Sequence, residues 1–134
     1  MRAAATRLVL VAVATGLGSV VAAQAATPAA SCVISASAVG PLNEAREALV
    51  AGDVDVVIET LLQAQAASGR KTEYEKFLIN SWLATAYINK RELAKAAPLL
   101  MAAAQSPCAT PAQRKGFAAT AKGILNGLPD RSPR

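Results

Sequence analysis

Residues 72 to 100 read TEYEKFLINSWLATAYINKRELAKAAPLL, and the fold class is decided within them. Thr72 and Glu75 stand three apart ahead of an apolar run. At that spacing a threonine hydroxyl and a glutamate carboxylate satisfy two otherwise orphaned backbone donors at a helix start. Tyr74, Phe77, Leu78 and Trp82 then recur at helical intervals, and Ile79, Leu83 and Ala86 form a second stripe. A helix that is apolar over more than half its circumference must be covered on two sides. This one, running to about Ile88, is therefore expected at the centre of the molecule. The next helix, about Glu92 to Gln105, carries Leu93, Ala96, Ala97, Leu100, Met101 and Ala104. Pro98 lies inside it and removes one backbone donor, which predicts a kink near Ala94 or a late helix start.

Working outward, the same periodicity predicts a first helix over about Pro41 to Val50, with Leu42, Ala45 and Leu49 on one face. Gly52 stands where a left-handed cap would end it, and Asp53 can cap the next. The second helix, about Val54 to Ala67, places Val54, Val57, Ile58, Leu61, Leu62 and Gln65 at three-four spacing, and Ser68-Gly69 closes it. A fifth helix opens with Thr110-Pro111-Ala112-Gln113, which combines a capping residue, a first-turn proline and an amide three residues after the cap. Phe117, Ala121, Ile124, Leu125 and Leu128 form its one apolar face, so it belongs at the end of a stack. No alternating stretch suggests a strand. With 134 residues, 53 % of them apolar but only 4 % aromatic, the chain reads as one all-α unit of about five closely packed helices.

The amino-terminal 25 residues have the three parts of a secretory signal. Arg2 and Arg7 precede an apolar run of 14 residues from Leu8 to Val21, and Ala23-Gln24-Ala25 follows as a cleavage site. The run is shorter than the roughly 20 residues a spanning helix needs, so no permanent membrane span is expected after cleavage. Retention as an uncleaved anchor is the alternative, and Ala29-Ala30-Ser31 ahead of Cys32 partly resembles a lipidation site. Residues 26–40 then read as an extended segment, 41–128 as the helical domain and 129–134 as a flexible tail.

Cys32 and Cys108 are the two cysteines. In an exported chain they read as one disulfide, since an oxidising compartment lets it persist; two unpaired thiols are the alternative. A redox-active pair is disfavoured by the lack of a C-x-x-C motif.

Laying Ala51-Gly52-Asp53-Val54 on Lys90-Arg91-Glu92-Leu93 aligns two segments 39 residues apart. Val57 then falls on Ala96, Ile58 on Ala97, Leu61 on Leu100, Leu62 on Met101 and Ala64 on Ala103. In the second unit Leu83, Ala84, Tyr87, Ala96, Leu100 and Ala103, with Pro107 near the close, reproduce a spacing that resembles a tetratricopeptide repeat. The first unit matches at Gly52, Val57, Leu61 and Ala64, while Glu44 stands where the family has an apolar residue. The family's period is roughly 34 residues, so about five are extra, around Ser68 to Thr72. The resemblance covers about Leu42 to Cys108 and implies a short solenoid of helical hairpins. It also implies a non-catalytic binding module with a concave face for a peptide or partner helix. By position in the repeat, that face draws on Leu42, Arg46, Leu49, Ser81, Thr85, Ile88 and Asn89. Two repeats and a cap are fewer than usual, which makes the disulfide or self-association into a homo-oligomer matter more.

Chemistry is poorly provided for. There is no histidine, which removes the commonest metal ligand and the usual general base. No phosphate-binding glycine loop and no hydrolase or metalloprotease motif is present. The pairs Glu73/Glu75 and Asp53/Asp55 sit two apart, a spacing that points side chains away from each other on a helix. No catalytic residue, cofactor site or metal site is expected. Charge is uneven: residues 26–89 hold four basic against seven acidic side chains, and residues 90–134 hold eight against two. The basic carboxyl half supports the alternative of a small envelope accessory protein that associates with an anionic surface. Without aromatic interleaving, and outside the cytoplasm, nucleic acid is not an expected partner. The compartment expected is the bacterial periplasm rather than the extracellular space.

Overall fold

A computed structural model of the chain describes residues 32–128. Its five helices are α1 (Ala36–Ala51), α2 (Val54–Ala66), α3 (Glu73–Asn89), α4 (Leu93–Ala104) and α5 (Pro111–Gly127), with no strand among the described residues. The stretch read as a signal, residues 26–31 and residues 129–134 lie outside the described residues, and so does the small-residue run before Cys32.

Both expected capping boxes form. Thr72 Oγ1 accepts from the Glu75 N–H and Glu75 Oε2 accepts from the Thr72 N–H. The Thr110–Gln113 pair does the same at α5. Asp53 stands at the N-cap of α2 but its side chain makes no capping hydrogen bond. The first helix begins at Ala36 rather than at Pro41, five residues before the expected start, and it runs through the proline. Pro41 lacks the donor that would bond the carbonyl of Ser37; both residues are exposed, so that carbonyl is open to solvent. Pro98 is handled alike in α4, where the freed carbonyl belongs to the exposed Ala94.

Each helix packs on its neighbour in sequence, and α1 also touches α3. There is no close backbone contact between α1 and α4 or α5. Two antiparallel pairs, α1–α2 and α3–α4, therefore lie side by side with α5 against α4, as helices joined by short turns pack. The core is correspondingly serial. Leu42, Ala45, Val57, Leu61, Ile79 and Leu83 fill the first hairpin and its junction with α3. A second cluster of Ala84, Leu100 and Ala121 joins α3, α4 and α5. Phe77 and Phe117 bridge the two, edge to face with ring centroids 5.9 Å apart. Alanines at the crossings, Ala45, Ala84, Ala96, Ala103 and Ala121, are fully buried and let the backbones approach. The sequence expectation of a central α3 is met, with Phe77, Leu78, Ile79, Leu83 and Ala86 all buried. Leu125, expected on the apolar face of α5, is exposed instead.

The two hairpin turns have the same backbone geometry. After α1, Gly52 has φ 77° and the Gly52 and Asp53 N–H groups bond the carbonyls of Leu49 and Ala48. After α3, Arg91 has φ 59° and the Arg91 and Glu92 N–H groups bond the carbonyls of Ile88 and Tyr87. Each is a helix stop with one residue in the left-handed region, which costs glycine little and arginine more.

Candidate functional site

Of the seven residues assigned to a concave face, Arg46, Thr85 and Asn89 are exposed, and Leu49 and Ile88 are half-buried. Leu42 and Ser81 are not surface residues; only 3 % and 7 % of their surfaces remain accessible. Leu42 belongs to the core between α1, α2 and α3. The Ser81 hydroxyl donates to the Leu78 carbonyl one turn back, and the Thr85 hydroxyl donates to the Ser81 carbonyl. Ile88 packs on the α3–α4–α5 cluster. The face is thus a polar surface of Arg46, Thr85 and Asn89 with its apolar members turned inward. Repeat position puts these residues on α1 and α3, but helical rotation decides which of them point out, and one residue is 100° of it.

At the opposite edge of α1, the segment Cys32–Ser35 is held against the start of α3. The Thr72 hydroxyl donates to the Val33 carbonyl at 2.6 Å, and the Ser35 N–H donates to Glu75 Oε1 at 2.6 Å. The segment ends at the Cys32–Cys108 disulfide, whose Cα atoms are 5.6 Å apart. The bridge ties the chain ahead of α1 to the α4–α5 loop across the end of the stack. Glu75 is buried, with 2 % of its surface accessible. Burial pushes its carboxyl up, but hydrogen bonds from the Ser35 hydroxyl and N–H and the Thr72 N–H, with the charge of Lys71, outweigh it and hold the group below its ordinary value.

Beside this carboxylate a cleft of about 250 Å³ opens between α1, the end of α2 and the start of α3. Pro41, Ala64 and Ala67 are the accessible part of its apolar lining, with the buried Leu42 and Ile79 behind, and Arg70 and Lys71 line it too. Sequence reasoning assigned no role to Arg70 or Lys71, and it gave Leu42, also in the lining, to the partner face. The signal available was the stretch of about five surplus residues at Ser68 to Thr72, which supplies one wall of the cleft.

The carboxyl half holds less free cation than its count suggests. Lys90 Nζ lies 2.6 Å from Asp55 Oδ1, and that hydrogen bond and charge raise its pKa. Lys95 pairs with Glu92 and also lies over the Tyr87 ring, 5.3 Å from its centroid. Its pKa is raised chiefly by the Glu92 hydrogen bond. Among the described residues no three His, Cys, Asp or Glu side chains gather where a metal ion could be held, and no helix is long and apolar enough to cross a membrane.

Compared with known proteins, the chain matches no family model, no curated protein and no solved structure.

Proposed function

We propose that this protein is an exported, non-catalytic interaction module that holds a peptide or partner helix against the face formed by α1 and α3. The observation that carries this reading is the serial stacking. Two hairpins with matching turns, 39 residues apart, stand side by side while α1 stays clear of α4 and α5. A stack of that kind leaves the first helices of both hairpins open along one side, as in tetratricopeptide-repeat proteins, whereas a closed bundle would bury them. Recognition there is polar, through Arg46, Thr85 and Asn89, and the periplasm is the compartment we assign. The disulfide, together with the shortness of the described helices relative to a membrane span, is compatible with export.

The test is a double substitution, Arg46→Ala with Asn89→Ala, in the full chain. A partner co-purified from envelope extract by the wild type should be lost from the variant, with helix content unchanged by circular dichroism. Retention of that partner by the folded variant contradicts the reading. Association through the basic carboxyl half would instead fade steeply with added salt.

A further inference from the structure

The cleft beside Glu75 lies between the first turns of α1 and α3 and the α2–α3 connection, and none of Arg46, Thr85 and Asn89 lines it, so its use does not depend on the proposed partner face. We propose that it binds a monocarboxylate carried on a short apolar chain, with the chain against Pro41, Ala64 and Ala67, the accessible apolar part of the lining, and the carboxylate on Arg70. Three observations converge on that chemistry.

The first is size. A volume of about 250 Å³ is many times what one water molecule needs, so the cleft has room for a small organic ligand or the end of a larger one. The second is the lining, in which apolar side chains stand beside serines, the Glu75 carboxylate and the cations Arg70 and Lys71. The third is the charge left over. Both oxygens of Glu75 are occupied by main-chain donors, and Lys71 faces that carboxylate while its Nζ donates to the Ala67 carbonyl. Arg70 forms no ion pair or side-chain hydrogen bond with any other described residue. Two cations against one carboxylate leave one positive charge, on a guanidinium whose planar fork matches a carboxylate in two-point contact. One added carboxylate balances the site. A neutral head group leaves Arg70 unpaired, and a cationic one meets like charge. The same chemistry can come from a free short-chain acid or from the C-terminus of a peptide ending in an aliphatic residue.

The test titrates the oxidised full chain with hexanoate, followed by amide chemical shifts, beside hexanamide and hexylamine. N-acetyl-leucine and its amide form the peptide arm. A carboxylate should bind saturably, with shifts centred on residues 68–71, and the amide and amine at least about tenfold more weakly, the loss expected for one charge-assisted contact. Arg70→Ala should weaken carboxylate binding about tenfold. Ala67→Trp, which fills the cleft from its exposed rim, should abolish it while circular dichroism shows the fold retained. Tighter binding of hexanoate identifies a free acid as the natural occupant, and tighter binding of N-acetyl-leucine identifies a peptide terminus; either upholds the site. Lack of saturable binding by both carboxylates overturns the proposal, as does equal binding of the amides or indifference to Ala67→Trp in the folded variant.

Discussion

The main-chain N–H of Ser35, at the N-cap of α1, donates to Oε1 of Glu75 across 2.6 Å, while Oε2 of the same carboxylate accepts the Thr72 N–H at the N-cap of α3. One buried side chain therefore fixes where two helices start and how they sit relative to each other. Nothing local to α1 does this, since the Ser35 hydroxyl makes no capping bond of its own.

Glu75→Gln keeps the shape but replaces one acceptor oxygen by an amide that faces a donor. A buried donor left unsatisfied costs about 2 kcal/mol, and the loss should appear as a lower urea midpoint at neutral pH. The pH dependence follows from the sign of the shift. The folded-state pKa lies below the ordinary 4.5, so the stability linked to this group is complete above about pH 4.5 and drains away as pH falls through the lower folded value. As pH falls below about 4.5 the wild-type midpoint should drop more steeply than that of Glu75→Gln. Parallel curves would contradict the assignment.

The Cys32–Cys108 bridge spans 76 residues, and the loop-closure estimate for that length is about 4.5 kcal/mol. Replacing both cysteines by serine should lower the thermal midpoint by well over ten degrees, at about 4–8 °C per kcal/mol for a domain of this size. Addition of reductant to the wild type should reproduce the shift, and a midpoint insensitive to reductant would show that the bridge is not formed.

The two turns should respond in opposite senses to substitution. No atom lies within 4 Å of where a Cβ on Gly52 would stand, so Gly52→Ala tests the backbone alone and should cost about 1 kcal/mol at φ 77°. Arg91→Gly removes the left-handed strain on a non-glycine residue at φ 59° and should be neutral or stabilising by up to about 1 kcal/mol. Denaturant melts of the two variants check the pair.

Adjacent leucines on α2 should separate cleanly. Leu61 is fully buried and Leu62 is 42 % exposed. Leu61→Ala should cost about 3 kcal/mol through lost burial and the cavity left behind, whereas Leu62→Ala should stay below about 1 kcal/mol. Similar losses for both would mean that α2 is rotated from the position described.

Much of this fold was legible because its signals are local. Thr72 with Glu75 and Thr110 with Gln113 are capping boxes whose geometry depends on four consecutive residues, and Gly52 marks a left-handed stop by itself. The apolar stripes of α3 gave its central place. What escaped depended on contacts distant in sequence or on solvent. Pro41 reads as a helix start, yet α1 begins earlier: Ser35 is anchored by Glu75, 40 residues away, and the carbonyl the proline abandons is on the exposed Ser37. Leu42 and Ser81 were assigned to a surface, but the packing of α1 and α3 turns them inward. Arg91 carries no sign of its positive φ; only its alignment with Gly52 hinted at it. The cleft is made by an α2–α3 connection whose composition showed extra length without showing the space it encloses.

The proposed partner face on α1 and α3 can be probed position by position. A photo-reactive residue placed in turn at Arg46, Thr85 and Asn89, and for comparison at the exposed Leu62 of α2 and Met101 of α4, reads this out directly after irradiation in intact cells. Cross-links to one discrete partner from the first three positions, and none from Leu62 or Met101, are the expected result. Cross-links confined to Leu62 and Met101, or none from Arg46, Thr85 and Asn89, would contradict it.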